Sequence, residues 1–239
     1  MNARAIVIGA TSGIGRSLAE ILSQEGYIVG LAGRREHLLE EVKQSLPNRS
    51  FTKRMDVSRT EEARGRLGEL VAEMAGADLI IVNAGTASVN PELDWHKEKD
   101  DIEVNVAGFT ALANAAMHHF IRQGSGHLVG ISSIAALRGG RSSPSYYASK
   151  AFVSHYLEGL RHMTVKTGLD ITVTDIQPGF VDTKLALGDN IFWCASAEKA
   201  ARQIYGAVRK KKSHAYITKR WRLIAWLMKA APGFIYYRT

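Results

Sequence analysis

Tyr146 and Lys150 lie four residues apart in Ser145-Tyr146-Tyr147-Ala148-Ser149-Lys150. On a helix that spacing puts both side chains on one face, so a phenol and an ammonium can reach a common point. A fixed positive charge beside a phenol stabilises the phenolate, which makes the pair a candidate for acid/base chemistry. The neighbouring Tyr147 lacks the four-residue relation to Lys150. Chance places such pairs on many helices, so the elements that position this one, and what they bring to it, decide its meaning.

Short apolar runs alternate with amphipathic stretches along the chain. The runs are Ala5–Ile8, Tyr27–Ala32, one near Phe51–Met55, Leu79–Val82, His127–Ile131, Leu169–Ile176 and His214–Thr218. The helical stretches are Gly13–Glu25, Glu36–Leu46, Arg59–Met74, Lys99–Gln123, Ser145–Lys166 and Ala197–Lys211. Strands that are apolar throughout and alternate with helices predict a parallel sheet of about seven strands, covered on both faces. With 239 residues and no repeat or linker, the chain reads as one α/β domain over 1–218 with an extension at 219–239. Ligands of such sheets bind beyond the carboxyl ends of the strands, so the strand ends carry the functional reading.

The first strand ends in Gly9-Ala10-Thr11-Ser12-Gly13-Ile14-Gly15 and runs straight into a helix. Glycines let the backbone approach a pyrophosphate, and a helix N-terminus offers amides and a positive dipole end. The second strand ends in Gly33-Arg34-Arg35, where NAD-binding sites place an acidic side chain for the ribose 2′-hydroxyl. Guanidinium groups there clamp a 2′-phosphate instead, so NADP(H) is favoured over NAD(H). Asp56-Val57 follows the third strand. Asp56 can accept from an adenine amino group, or it can simply cap the next helix. The fourth strand ends in Asn83-Ala84-Gly85, small residues beside an amide able to brace neighbouring backbone.

Taken in order with Asn105, Ser132-Ser133, Tyr146-x-x-x-Lys150 and Pro178-Gly179-x-x-x-Thr183, these motifs make the chain resemble a short-chain dehydrogenase/reductase. Ile8 and Val82 depart from that family's usual Thr and Asn at positions beside the glycine turn and Asn83. The resemblance implies a Rossmann-like, doubly wound fold and carbonyl/alcohol oxidoreduction by hydride transfer. It implies Tyr146 as general acid/base, its pKa lowered by Lys150, which would also bind the nicotinamide ribose. Ser133 would hold the substrate oxygen and Asn105 would anchor a proton-relaying water. Pro178, Gly179, Val181 and Thr183 would hold the nicotinamide carboxamide. Ser132 has a strand-end hydrogen bond as its alternative role. The two long central helices, about 99–123 and 145–166, would carry a homodimer or homotetramer.

Substrate choice in the family resides after Thr183, here in Lys184–Ala195 with Leu185, Leu187, Ile191, Phe192 and Trp193. These residues suit an apolar lid over a hydrophobic carbonyl or alcohol, and equally a packing role. The single cysteine, Cys194, excludes an internal disulfide and suggests a reducing, cytoplasmic setting; it is expected to be buried. Ala5–Gly9 is too short an apolar run for a signal segment or a membrane span. Adjacent His118 and His119 point about 100° apart on a helix, so no metal site is expected.

Charge is segregated. The chain carries 31 Lys and Arg against 23 Asp and Glu, a net of +8; eleven of the cations and no carboxylate lie from Lys199 onward. Up to Glu198 the chain is net acidic, −3. Residues 219–239 mix cations with Trp221, Trp226, Leu223 and Ile224, as a helix in a membrane interface does. A helix packed on the core with solvated charges is the other reading. No recognition motif accompanies the basic patch, so nucleic-acid binding is not expected. Two further functions stay open: a cofactor-binding regulator with little catalysis, and a membrane-surface adaptor working through residues 199–239.

Overall fold

The computed structural model describes residues 2–183 and 192–237. Seven strands form one parallel sheet in the order β3-β2-β1-β4-β5-β6-β7: β1 Arg4–Ile8, β2 Ile28–Gly33, β3 Ser50–Arg54, β4 Leu79–Val82, β5 Ser125–Ile131, β6 Asp170–Pro178 and β7 His214–Ile217. The long helices are α1 Gly13–Gln24, α2 Glu36–Ser45, α3 Thr60–Glu73, α5 Phe109–Gln123, α6 Pro144–Thr167 and α7 Ala197–Arg209; α4 Trp95–Asp101 is shorter. Beyond β7 come α8 Trp221–Ala230 and the single turn α9 Gly233–Tyr236. The parallel sheet covered on both faces is the one expected from the alternation of runs, and its strand order is that of the Rossmann-like, doubly wound fold the resemblance implied.

The period-2 alternation of a strand explains the two-sided core. Ala5 and Val7 of β1 face one way, onto Leu18 and Leu22 of α1, Leu39 and Val42 of α2, and Ala200 and Ile204 of α7. Ile6 and Ile8 face the other way, onto Leu67 and Leu70 of α3, Leu112 and Phe120 of α5, and Val153 and Leu157 of α6. These four β1 side chains are fully buried. Strand order reverses between β1 and β4, each paired with the other in parallel. A crevice therefore opens beyond their carboxyl ends, where Gly9 and Asn83 lie.

The predicted helix at Lys99–Gln123 begins earlier, at Trp95, and is not uniform. Residues Ile102–Gly108 widen into a π-helical turn between α4 and α5. A Cβ on Gly108 would stand 2.5 Å from the Val57 carbonyl oxygen, so the helix runs hard against the loop after β3 there. The periodicity of the sequence carries no trace of that long-range contact.

Candidate active site

One cavity of about 620 Å³ lies along the crevice, from the glycine turn and Arg34–Arg35 at one end to Tyr146, Lys150 and a group of aromatic side chains at the other. Gly9 and Gly13 have φ of +91° and +54°, a region that costs an L side chain about 1–2 kcal/mol. Close approach adds to this: a Cβ on Gly15 would fall 2.0 Å from the Gly9 oxygen, and one on Gly9 2.7 Å from the Ala84 amide nitrogen. Asn83 Nδ2 donates to the Gly9 oxygen at 3.0 Å, tying the end of β4 to the turn. Ser12 makes no side-chain cap to α1, and the first turn of α1 holds no acid. The helix thus presents its free amides beside Thr11, Ser12 and Ile14, an arrangement suited to an anion.

Arg35 reaches across from the end of β2. Its guanidinium donates to Thr11 Oγ1 at 2.5 Å and Ser12 Oγ at 2.9 Å. Asp56 spends one oxygen on Ser58, accepting from its amide at 3.1 Å and its hydroxyl at 2.8 Å. That is a turn of the Asx kind, not a helix cap, since α3 begins only at Thr60. Burial works to raise the Asp56 carboxyl, but the Ser58 bonds and the positive charges of Arg34 and Arg59 hold it below the usual range. Val57 and Ala84 line the same cavity.

At the other end, Ser133, Tyr146 and Lys150 converge. Pro144 opens α6 at its first position, where a missing amide costs nothing, and the first two turns carry Tyr146 and Lys150. Lys150 Nζ donates to the Ile131 oxygen at 3.1 Å and lies 5.8 Å from the Tyr146 ring centre. Burial pushes the Tyr146 phenol up to about 12, with the Ser133 hydrogen bond pulling the other way. Burial likewise takes Lys150 down to about 8, while the charges of Asp101 and Asp175 raise it. Burial is thus the largest influence on both groups. Ser132 instead donates to Asp175 Oδ1 and the Ile176 oxygen, the strand-end role.

Asn105 sits in the π-helical turn, buried. Its Oδ1 accepts from the Thr86 amide at 2.9 Å, and Nδ2 donates to the Thr86 oxygen at 2.8 Å and Ser149 Oγ at 3.1 Å. A Cβ on Gly85 would lie 3.2 Å from Asn105 Oδ1 and 3.3 Å from Lys150 Nζ, so both groups close on one point of the β4 loop. Sequence reasoning missed the two buried carboxylates behind them. Asp101 accepts from Ser145 Oγ at 2.7 Å, and its Oδ1 is buried with no hydrogen-bond partner among the described residues. Asp175 accepts from Ser154 at 2.6 Å. A charged residue inside the buried run Val173–Ile176 was the available signal.

The turn after β6 forms the remaining wall. Val181 bridges to Ala195, and the Asp182 amide donates to the Ala195 oxygen at 2.8 Å, so the two sides of the expected substrate segment are pinned together. Residues 184–191 of that segment lie outside the described residues. Phe192 and Trp193 gather with Phe180 around Trp221 of α8, at ring separations of 5.2 Å, 6.3 Å and 5.5 Å respectively. The Trp221 ring lies so close over Pro178-Gly179 that a Cβ on Gly179 would meet it at 2.0 Å. Gly13 and Thr183 are also in contact range, 2.9 Å from an added Cβ to Thr183 Cγ2. Ile224, Met228 and Tyr147 complete this end of the cavity; none of the three was read from the sequence as lining it. Cys194, expected to be buried, is exposed, because the turn at Phe192–Cys194 directs only Ala195 inward.

The short-chain dehydrogenase family model matches residues 3–191. An uncharacterized oxidoreductase of Myxococcus xanthus is 37% identical over 191 residues, 78% of this chain and 75% of its own. The structure of a short-chain dehydrogenase/reductase from Burkholderia phymatum in complex with NAD superposes with a TM-score of 0.83 at 19% identity, over 95% of this chain and 92% of that one. An alcohol dehydrogenase from the archaeon Thermococcus sibiricus complexed with 5-hydroxy-NADP gives 0.79 at 20% identity, over 91% and 96%. By the extent of the family match and the identity of the relative, the chain belongs to the short-chain dehydrogenase/reductase family of oxidoreductases.

Proposed function

We propose that this protein interconverts a carbonyl and an alcohol on an apolar substrate with NADP(H), using Tyr146 as general acid/base. The observation that carries the reading is the convergence of Tyr146, Ser133 and Lys150 at one end of a cavity whose other end is a glycine turn crossed by Arg35. The residues fit a phosphorylated nucleotide. The uncapped start of α1 can hold a pyrophosphate, Gly33 offers no carboxylate to repel a 2′-phosphate, and Arg35 is within reach of one. When bound, such a cofactor supplies or accepts the hydride.

The remaining work falls to the chain's own groups. A phenol held near 12 is fully protonated at neutral pH, so Tyr146 is ready to give its proton to a carbonyl oxygen during reduction. Ser133 hydrogen-bonds the same oxygen and fixes its position. The Lys150 ammonium limits the cost of the phenolate that remains, and Asn105 holds the β4 loop against α6 while anchoring the water through which the proton is replaced. Phe180, Phe192, Trp221, Ile224 and Met228 favour an apolar body on the substrate. Association of copies through α5 and α6, implied by the family resemblance, suits the exposed Ile121, Phe152, Met163 and Val165.

The test is a spectrophotometric screen of aldehydes and ketones with NADPH and NADH side by side, run with Tyr146→Phe. General acid/base groups contribute about 10²–10⁴-fold, so the variant should lose turnover by that factor and keep its NADPH affinity. Normal turnover in the variant would remove Tyr146 from its role. No oxidation of either nucleotide across the panel would favour a cofactor-binding regulator.

A further inference from the structure

α8 has two apolar faces. Trp221, Ile224, Ala225 and Met228 turn inward, and Trp221 and Ala225 are buried. At about 100° per residue, Leu223, Trp226, Leu227 and Ala230 occupy the opposite side. Leu223, Trp226 and Leu227 are 59%, 66% and 49% exposed, and in α9 just beyond, Phe234 and Ile235 are 68% and 50% exposed. Arg222 and Lys229, seven residues apart, stand together along one flank of the strip, with Lys219 and Arg220 just before it. The strip is held in place. Arg138 donates to the Met228 and Ala231 oxygens at 3.2 Å and 2.8 Å and stacks on Tyr236, whose hydroxyl donates to the Gly139 oxygen at 2.6 Å.

We propose that α8 and α9 dock this protein on the surface of an anionic lipid bilayer. An apolar strip with Trp on it and cations at its edge matches the boundary between acyl chains and acidic headgroups, where Lys and Arg can keep their charges in the headgroup layer. Ten residues of helix reach only about 15 Å, half the apolar thickness of a bilayer, so α8 lies in the plane of the surface. No helix among the described residues is long and apolar enough to cross a membrane. A second copy of the chain is a poorer occupant. A twofold contact that set two copies of α8 antiparallel would bring the cations of both chains to one edge, and from Lys199 onward there is no carboxylate to pair them.

The two faces also join the surface to the cavity. Trp221, Ile224 and Met228 line its substrate end, so the docked helix is a wall shared by bilayer and site. That consequence rests on the reading of the site given above; the docking itself does not.

The experiment is co-sedimentation of the full chain with vesicles of phosphatidylcholine alone and of phosphatidylcholine mixed with phosphatidylglycerol. Binding is expected with the mixed vesicles only, falling as salt is raised. Joint replacement Leu223→Ser, Trp226→Ser and Leu227→Ser should abolish it, and Arg222→Glu with Lys229→Glu should weaken it at least about tenfold, given about 1 kcal/mol per cation near an acidic surface. Far-ultraviolet circular dichroism on the same samples reports that each variant is folded. Quenching of tryptophan emission by brominated acyl chains gives a second measure on the unaltered chain. Equal recovery of wild type and the apolar variant with anionic vesicles, without quenching, overturns the proposal. So does self-association of the wild type that the apolar variant loses while neither binds vesicles. All these readouts are taken without substrate, so they stand or fall apart from the proposed reaction.

Discussion

Arg35 follows two residues after Gly33, which stands where an acidic side chain would hold a ribose hydroxyl, and its guanidinium is bonded to Thr11 and Ser12. A cation at the start of a helix is disfavoured by the dipole, which supports the proposed 2′-phosphate as its partner. Charge-assisted hydrogen bonds are worth about 1.5–3 kcal/mol. Arg35→Ala should therefore lower kcat/KM for NADPH about 10- to 100-fold and leave that for NADH within a few-fold. Steady-state kinetics with both nucleotides reads the ratio directly. Arg34 acts differently, lending its charge to the Asp56 carboxylate. The sequence shows both arginines, but which one turns toward the glycine loop depends on how α2 leaves the sheet.

At the scale of elements, the site depends on α8 meeting the turn after β6. Gly179 and Trp221 are far apart in the chain, yet the indole fills the space where a Cβ would be. Gly179→Ala must push the ring aside, at about 1–3 kcal/mol of stability as for other overpacked sites. It should also raise KM for an apolar substrate, because Trp221 carries the aromatic wall. Trp221→Phe opens room for the new methyl, so the double variant should be more stable than the sum of the two losses; urea unfolding of the cycle measures the difference. The glycine itself was legible from its motif. Its reason was not, since the neighbour that demands it lies on another element.

For the whole molecule, stability should carry a marked dependence on pH through His127. It lies on β5, buried, with Nε2 2.7 Å from Thr174 Oγ1 on β6, and Thr174 in turn donates to the Lys212 oxygen. Burial takes its pKa from 6.5 down to about 4. A histidine whose folded pKa is depressed leaves stability intact above 6.5 and withdraws it as pH falls toward about 4, because the unfolded chain binds the proton more readily. The loss over that window is about 3 kcal/mol. His127→Gln can keep a hydrogen bond to Thr174 without the titration. The wild type should therefore lose about that much more than the variant between pH 7 and pH 4, read by urea unfolding at each pH.

Much of the architecture follows from local pattern. Apolar runs alternating with amphipathic stretches require a two-sided parallel sheet, and the motif spacing places Gly9, Asn83, Ser133, Tyr146 and Lys150 near strand ends that such a sheet brings together. The excess of cations after Lys199 is likewise a property of the sequence alone. Periodicity tells which residues share a face; it does not tell what stands opposite. The buried Asp101 behind Lys150, the rise of the Tyr146 phenol on burial, the exposed Cys194 and the seat of Trp221 over Gly179 are all set by contacts between distant parts of the chain. So are the two faces of α8. For residues 219–239 the sequence allowed a helix packed on the core or a helix for a membrane surface; the tertiary structure buries one face and leaves an apolar strip on the other.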